Sequence, residues 1–544
     1  MNKIYFTLLL LTYAAGVFSQ NNRPMNRDYY ADEWIKVAEF EQKSLPQSAS
    51  EAVDNILRKA IAEKNSPQVI KALIHQGKYA LAADSENDTI VFVNLKTMLL
   101  ESKNNIEKSV LHSLLGELYL QYYHKYRQEI DRRTALTGYV PSDMKEWTSN
   151  IFFDKVVEHL NASLLPRAEL EGTKVETYAA VVELGKDSRR FFPSMYDFLA
   201  RRAIEFFDQL SGNEDLSITL AKKNIRQESL FAPAKVYINL SFEPSLTEYR
   251  LWTLETYRKL LISLLERKMD ESVLFVELSK LEHLRKLPSA YEKYALPALE
   301  NMLTQWENNP LSVEIIDNIA DFYLDIPAYT LDYRSGDSLQ VAKNRKAYEL
   351  LRKGIERFPQ YERIGILQNK LNVLTHPSLI VEGEKTCTPR GEKKLKVTYK
   401  NLQKVTAKLY RITTPVSYRN DEGLMKNERK VFVKSKVLDL PSLEPYRFGE
   451  ASFFVDVYEY GTYKLEFETD KKTDERAAYY FSVSDLSSFS RAVNSSDYEF
   501  FAVNRVSGKP IKKAQIYLYS LKGDWKNRYY RKENVLTTDE SGRA

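Results

Sequence analysis

The chain has 544 residues and a mass of 63.3 kDa, more than one compact core usually serves, so several domains or a repeat array are expected. Hydrophobic residues make up 43% and charged residues 28%, and 36 Tyr, 25 Phe and 5 Trp supply core material, which excludes a largely disordered protein. Only 18 residues are Gly, and 79 basic residues offset 74 acidic ones with no run of five like charges, so neither Gly-dense nucleotide loops nor a nucleic-acid partner is implied.

Residues 1–19 read as a secretory signal. Lys3 supplies the positive start, Ile4 to Leu11 the apolar run, and Val17-Phe18-Ser19 the small-residue pattern before a cut at Gln20. The alternative is an N-terminal anchor, but the run is shorter than the roughly 20 residues that span a bilayer, and no later segment qualifies as a transmembrane span. The chain is therefore expected to be exported, to a periplasm or cell surface.

From residue 28 to 375 the apolar spacing is helical. Leu254, Tyr257, Leu261 and Leu264 form one stripe, with Arg258, Lys259 and Ser263 expected opposite it. Val341, Tyr348, Leu351, Ile355 and Phe358 form another, with Ser338 as an N-cap and Pro359 as a stop. Prolines from Pro46 to Pro359 punctuate the stretch into helix-sized pieces. Leu115-Gly116 with Tyr119, and Ala347-Tyr348 through Phe358-Pro359, resemble parts of tetratricopeptide helices, without a strict 34-residue period. The expectation is an irregular, solenoid-like α-helical region, with a plain helical bundle as the alternative.

At His376-Pro377 the period changes to two. Leu395 to Tyr399, Ala407 to Arg411, Val431 to Val433, Phe453 to Val457, Tyr463 to Phe467 and Tyr479 to Val483 alternate as strands do, broken by Pro389-Arg390-Gly391, Asn420 to Gly423 and Tyr460-Gly461-Thr462. Residues 378–484 are thus expected to form one antiparallel β-sandwich. Residues 485–544 open a second, with strands at Tyr498 to Val503 and Ala514 to Ser520, a turn at Val506 to Pro510, and a turn at Thr537 to Gly542 leading into a further strand. Sixty residues hold about half of such a unit, so the second sandwich is expected to be incomplete. The charge also shifts, from 48 basic against 51 acidic residues before Ser378 to 31 against 23 from there on.

Signatures of chemistry are sparse. His75, His112, His124, His159, His283 and His376 show no H-E-x-x-H spacing, and a single cysteine rules out a thiolate metal site. His112 and His124 fall on one helix but about 18 Å apart along it, so they cannot share a metal. Cys387, between Thr386 and Thr388, reads as a packed or half-exposed strand thiol, and Asp474-Glu475 and Asp539-Glu540 as solvated turn charges. No G-x-G-x-x-G, P-loop or G-x-S-x-G is present. No catalytic, cofactor-binding or metal-binding residue is therefore nominated, and no cofactor is expected.

Leu395 to Leu402 (LKVTYKNL) followed by Val405 to Arg411 (VTAKLYR) resembles the first macroglobulin-like domain of bacterial alpha-2-macroglobulin family proteins, in which a strand ending in Tyr-x-Asn precedes one ending in Leu-Tyr-Arg. Val503 to Pro510 (VNRVSGKP) with Ala514 to Tyr519, then Thr538 to Gly542 (TDESG), resembles the start of the next such domain. A long helical region ahead of these domains is similar to Bacteroidetes members. The resemblance implies an exported endopeptidase inhibitor of protease-trapping type rather than an enzyme, with endopeptidases as partners of the whole protein and an envelope protein as partner of the helical region. The family's bait segment and thioester, where present, follow later; Thr-Pro-Arg after Cys387 does not match the thioester. The rival reading is an envelope scaffold or adhesin with helical repeats and β-sandwich spacers.

Overall fold

The computed structural model describes residues 29–83, 89–134, 139–182, 185, 188–212, 214–324, 338–413, 429–457, 459–473, 477–494, 497–522 and 529–544. The expected signal at residues 1–19, the expected turn at Asn420 to Gly423 and Asp474-Glu475 lie outside them. The chain divides into two compact units, Met1–Asn301 and Met302–Ala544. Among the described elements, those up to Thr375 are helical and those from Ser378 are strands.

The first unit is built from helices that pair with near neighbours in sequence or across short intervening helices. Pro46–Ala62 packs against Ser66–Ala83, Asn105–Ile130 against Ser149–Ala162, and Met195–Leu210 against Tyr249–Glu266. Local signals set the starts: Pro46 occupies the first turn of its helix, Asn104 accepts the Ile106 and Glu107 N–H groups, and Ser194 with Asp197 forms a reciprocal capping box. The stripe Leu254, Tyr257, Leu261 and Leu264 is buried as its spacing predicts. Ser263 departs from the expected solvent side. It is fully buried, because a second helix covers that face and its hydroxyl bonds Glu171 there.

Gly116 allows one close crossing. A Cβ at this position would sit 3.1 Å from Leu160 Cδ2 and 3.6 Å from the Val156 carbonyl, so the absent side chain lets the helix Asn105–Ile130 approach Ser149–Ala162. The interior beside it is aromatic: Tyr119 stacks on Trp147 with centroids 5.6 Å apart, and Phe152 and Phe92 close the cluster.

In the second unit the helices Ser312–Leu324, Ser338–Arg357 and Gly365–Thr375 precede, among the described residues, twelve strands. These are β1 (Ser378–Glu382), β2 (Thr386–Cys387), β3 (Gly391–Lys400), β4 (Lys404–Ile412), β5 (Lys430–Asp439) and β6 (Phe448–Val457), then β7 (Gly461–Thr469), β8 (Ala478–Val483), β9 (Leu486–Ala492), β10 (Tyr498–Asn504), β11 (Gln515–Lys522) and β12 (Tyr529–Thr537). One sheet runs β1-β3-β6 and another β2-β8-β7-β4-β5; β9 pairs β10, and β11 pairs β12. Both larger sheets contribute to one buried cluster, with Leu395 and Val397 from β3, Phe453 from β6, Leu409 from β4, Leu465 from β7 and Phe481 from β8.

Two features depart from the sequence reading. The five-stranded sheet is mixed, not wholly antiparallel, because the short β2 lies parallel to β8. In the last sixty residues a strand around Val535, not expected from the sequence, comes before the Thr538 to Gly542 turn; after that turn Gly542 and Ala544 bond the Ala502 and Phe500 backbone and Arg543 bridges Phe501. The alternation in Tyr529 to Thr537 is mixed with Arg531, Lys532 and Glu533, so its period is weak in sequence.

Sheet edges carry specific protection. The open edge of β6 exposes the carbonyls of Phe454 and Asp456, and Lys436 and Lys434 of β5 donate to them at 3.0 and 2.7 Å. Lysines on an edge satisfy backbone acceptors that would otherwise pair with a further strand.

Candidate functional site

The sequence motifs can be followed to their places. Tyr399, Lys400 and Asn401 close β3. The Tyr399 hydroxyl donates to the Pro441 carbonyl at 3.0 Å, while Lys400 Nζ and Asn401 Nδ2 donate to the Leu374 and Thr375 carbonyls at 2.9 and 2.7 Å. Those carbonyls end the helix Gly365–Thr375, so the motif caps a helix C-terminus and fastens it to the sheet; Lys400 places its cation at the negative end of the helix dipole. Asn401 adopts φ of 54°, a left-handed conformation that Asn tolerates better than most residues. Farther on, Arg411 of the Leu-Tyr-Arg pattern donates to Glu459 Oε2 at 2.6 Å and to the Tyr460 carbonyl at 3.0 Å, bracing the turn before β7.

The last two motifs meet in space. Gly508 turns the chain with φ of 69°, and Asn504 Oδ1 accepts the Val506 and Ser507 N–H groups. Asp539 Oδ1 likewise accepts from Ser541 and Arg543; these bonds, the Ser541 hydroxyl foremost, hold its carboxyl below the ordinary range. Between the two turns, Thr538 Oγ1 donates to the Ile511 carbonyl at 2.6 Å and accepts the Ala514 N–H at 2.9 Å. Gly542 fits because nothing larger would: its φ is 73°, and a Cβ would stand 2.6 Å from the Ala502 carbonyl oxygen.

Cys387 lies on β2, half-buried against the shared cluster, and burial pushes its thiol up, away from the thiolate form. The histidines are dispersed except for one pair. His112 and His124 share the helix Asn105–Ile130 as expected, but His112 meets His159 of Ser149–Ala162, with the two Nδ1 atoms 2.8 Å apart. Forty-seven residues separate these two in sequence, and no spacing rule could pair them. Burial pushes both rings down, His159 to about 4. Among the described residues no group of three His, Cys, Asp or Glu is placed to hold a metal.

Three other polar clusters stand out. His75 lies 3.6 Å from Glu41 and, with Lys78 and Tyr79, holds the Glu41 carboxyl down to about 2. Lys280 is 1% exposed; its Nζ donates to the Ala232 carbonyl at 3.0 Å beneath the Tyr237 ring, and burial pushes it down to about 8. Asp197, fully buried, accepts from the Ser194 N–H and hydroxyl and from Arg267. A shifted lysine can serve as a nucleophile, but Lys280 lines neither cleft described below and ties one carbonyl to its neighbours. These clusters join helices, and each side chain in them is spent on another.

Two clefts are formed by described residues of these units. One, of about 170 Å³, lies in the second unit between Leu303, Ile316, Leu350 and Phe358, with Lys353 and Arg357 at its rim. The Arg357 guanidinium there is held by Glu307 and Asn308 at 2.8 and 2.6 Å. The other, of about 20 Å³, lies in the first unit beside Arg202, which is paired with Glu117 at 2.6 Å. No nucleophile–base pair lines either. No helix among the described residues is long and apolar enough to cross a membrane.

No family model matches this sequence, and no curated protein matches it. Among solved structures it aligns with Pseudomonas fluorescens alkylpurine DNA glycosylase AlkC bound to DNA containing an abasic site analog, at 10% identity over 83% of this chain and 97% of that one. The TM-score of 0.13 is too low for that alignment to carry an argument about fold or function.

Proposed function

We propose that this chain is the N-terminal portion of an exported alpha-2-macroglobulin-like protein that traps endopeptidases at the periplasm or cell surface, acting as an inhibitor and not as an enzyme. In this reading residues 378–484 are a macroglobulin-like β-sandwich, 485–544 begin a second, and the helical region is a docking surface for an envelope protein. The observation that carries the reading is the sequence order: a long helical region, then Tyr399-Lys400-Asn401 with Leu409-Tyr410-Arg411, then Val503 to Pro510 with Thr538 to Gly542. One buried cluster shared by two sheets is compatible with the sandwich, and the capping by Lys400 and Asn401 gives the Tyr-x-Asn motif a reason to follow a helix.

The test uses the complete secreted product of the reading frame that contains these residues, incubated with serine, cysteine and metallo-endopeptidases. A trap blocks digestion of a large protein substrate at near-equimolar ratio while a small chromogenic peptide is still cleaved. If both substrates are digested at the uninhibited rate, and no complex forms with any protease, the proposal fails.

A further inference from the structure

The histidine pair is set by the packing of two helices. His112 and Tyr119 are seven residues apart on one helix, and His159 and Phe152 seven apart on the facing one, so each pair shares a stripe turned toward the other helix. Gly116 lies between His112 and Tyr119 and allows the close approach. At an Nδ1–Nδ1 distance of 2.8 Å one nitrogen must donate and the other accept. The bridge therefore holds one proton between the two Nδ1 atoms, and a proton added to the accepting Nδ1 would place two N–H groups against each other.

Charges around the pair come from three helices. Lys108, with the Tyr119 ring, stands on the His112 helix; Glu158 and Lys155 stand on the His159 helix; Lys96 reaches in from Ile90–Glu101. One carboxylate faces three ammonium groups, so the surroundings oppose a second proton, as burial does. Tyr119 gives no relief, since its buried hydroxyl has no hydrogen-bond partner in this structure.

We infer that the His112–His159 bridge is an acid-sensitive latch, closed while one Nδ1 donates to the other and forced open when the accepting imidazole is protonated on Nδ1, which parts the helices Asn105–Ile130 and Ser149–Ala162. The closed form excludes a proton from the accepting Nδ1 and the open form binds it. Between the ordinary histidine range and the depressed range of the folded pair, the opening constant should rise about tenfold per pH unit, the slope of one linked proton. Above pH 7 it should be flat.

Two measurements test the latch on the whole chain. Nitrogen-15 NMR of histidine-labelled protein at pH 7 reads tautomers directly, and one of the two rings must carry its proton on Nδ1. Finding both rings protonated on Nε2 alone would overturn the inference whatever the variants do. Amide exchange, corrected for intrinsic rates, should accelerate about tenfold per pH unit between pH 6 and 4.5 in Ser109–Tyr122 and Phe152–Leu160. In His112→Gln and in His159→Gln that acceleration should be absent. Acceleration that persists in both variants, or none in the wild type, would equally refute the latch.

Discussion

Replacing Arg267 by Met should strand a buried charge. Asp197 is fully buried, and its carboxylate has three sources of stabilisation: the Ser194 N–H at 3.1 Å, the Ser194 hydroxyl at 2.7 Å and the Arg267 guanidinium. Arg267 also donates to the Ser263 hydroxyl at 3.0 Å and carbonyl at 3.3 Å, and Ser263 in turn bonds Glu171, which Arg167 holds at 2.6 Å. Met fills most of the volume of the arginine stem but removes the only cation among the Asp197 contacts named here. Breaking a buried pair from one side costs about 3–5 kcal/mol, against about 1–3 kcal/mol for an unsatisfied neutral group. Asp197→Asn keeps the capping geometry without the charge and should cost about 1–2 kcal/mol. The double variant should then be milder than the sum by at least about 1 kcal/mol, since it removes both charges. Thermal and urea unfolding of the first unit's transition reads all three; at about 2–4 °C per kcal/mol, Arg267→Met should lower Tm by roughly 6–20 °C. A loss under about 1 kcal/mol for Arg267→Met, or strict additivity in the cycle, would refute the reasoning.

Burial pushes the His283 imidazole from 6.5 down to about 4. The unfolded chain therefore takes up its proton first on acidification, and up to about 3 kcal/mol of stability is lost between pH 6.5 and 4; the fall in urea midpoint from pH 7 to 4.5 should be smaller in His283→Gln than in the wild type, and an unchanged fall would contradict this. Gly449→Ala should cost about 1–3 kcal/mol, read from the melt, because a Cβ there stands 2.6 Å from Tyr399 Cζ and from Leu443 Cδ1. The raised Cys387 thiol should react with iodoacetamide far more slowly in the folded than in the urea-unfolded chain; equal rates would contradict its packed setting. Replacing Lys434 and Lys436 together by Ala uncovers the Phe454 and Asp456 carbonyls, so sedimentation should show new concentration-dependent association.

Residue order alone determined the change from period 3.6 to period 2, and the structure places it where the sequence does: the last helix ends at Thr375 and the first strand begins at Ser378. Those periods are local properties, set by which side chains share a face, so the core residues Leu254, Leu261, Leu395, Val397 and Phe453 were legible without a partner. The turn at Gly508 was legible too, because its left-handed backbone favours glycine. Which faces meet is not local. Sequence spacing set His112 about 18 Å from His124 on one helix and offered it no partner, whereas packing put it against His159; Ser263 looked solvated on its own helix and is buried by another. The Tyr399 to Asn401 motif was visible as letters, but the carbonyl acceptors of Lys400 and Asn401 lie 26 residues back on a helix end, and Gly542 is required by an oxygen of Ala502. Tertiary structure decided these because distance through space between elements depends on how whole surfaces interlock, and no single stretch of chain encodes that.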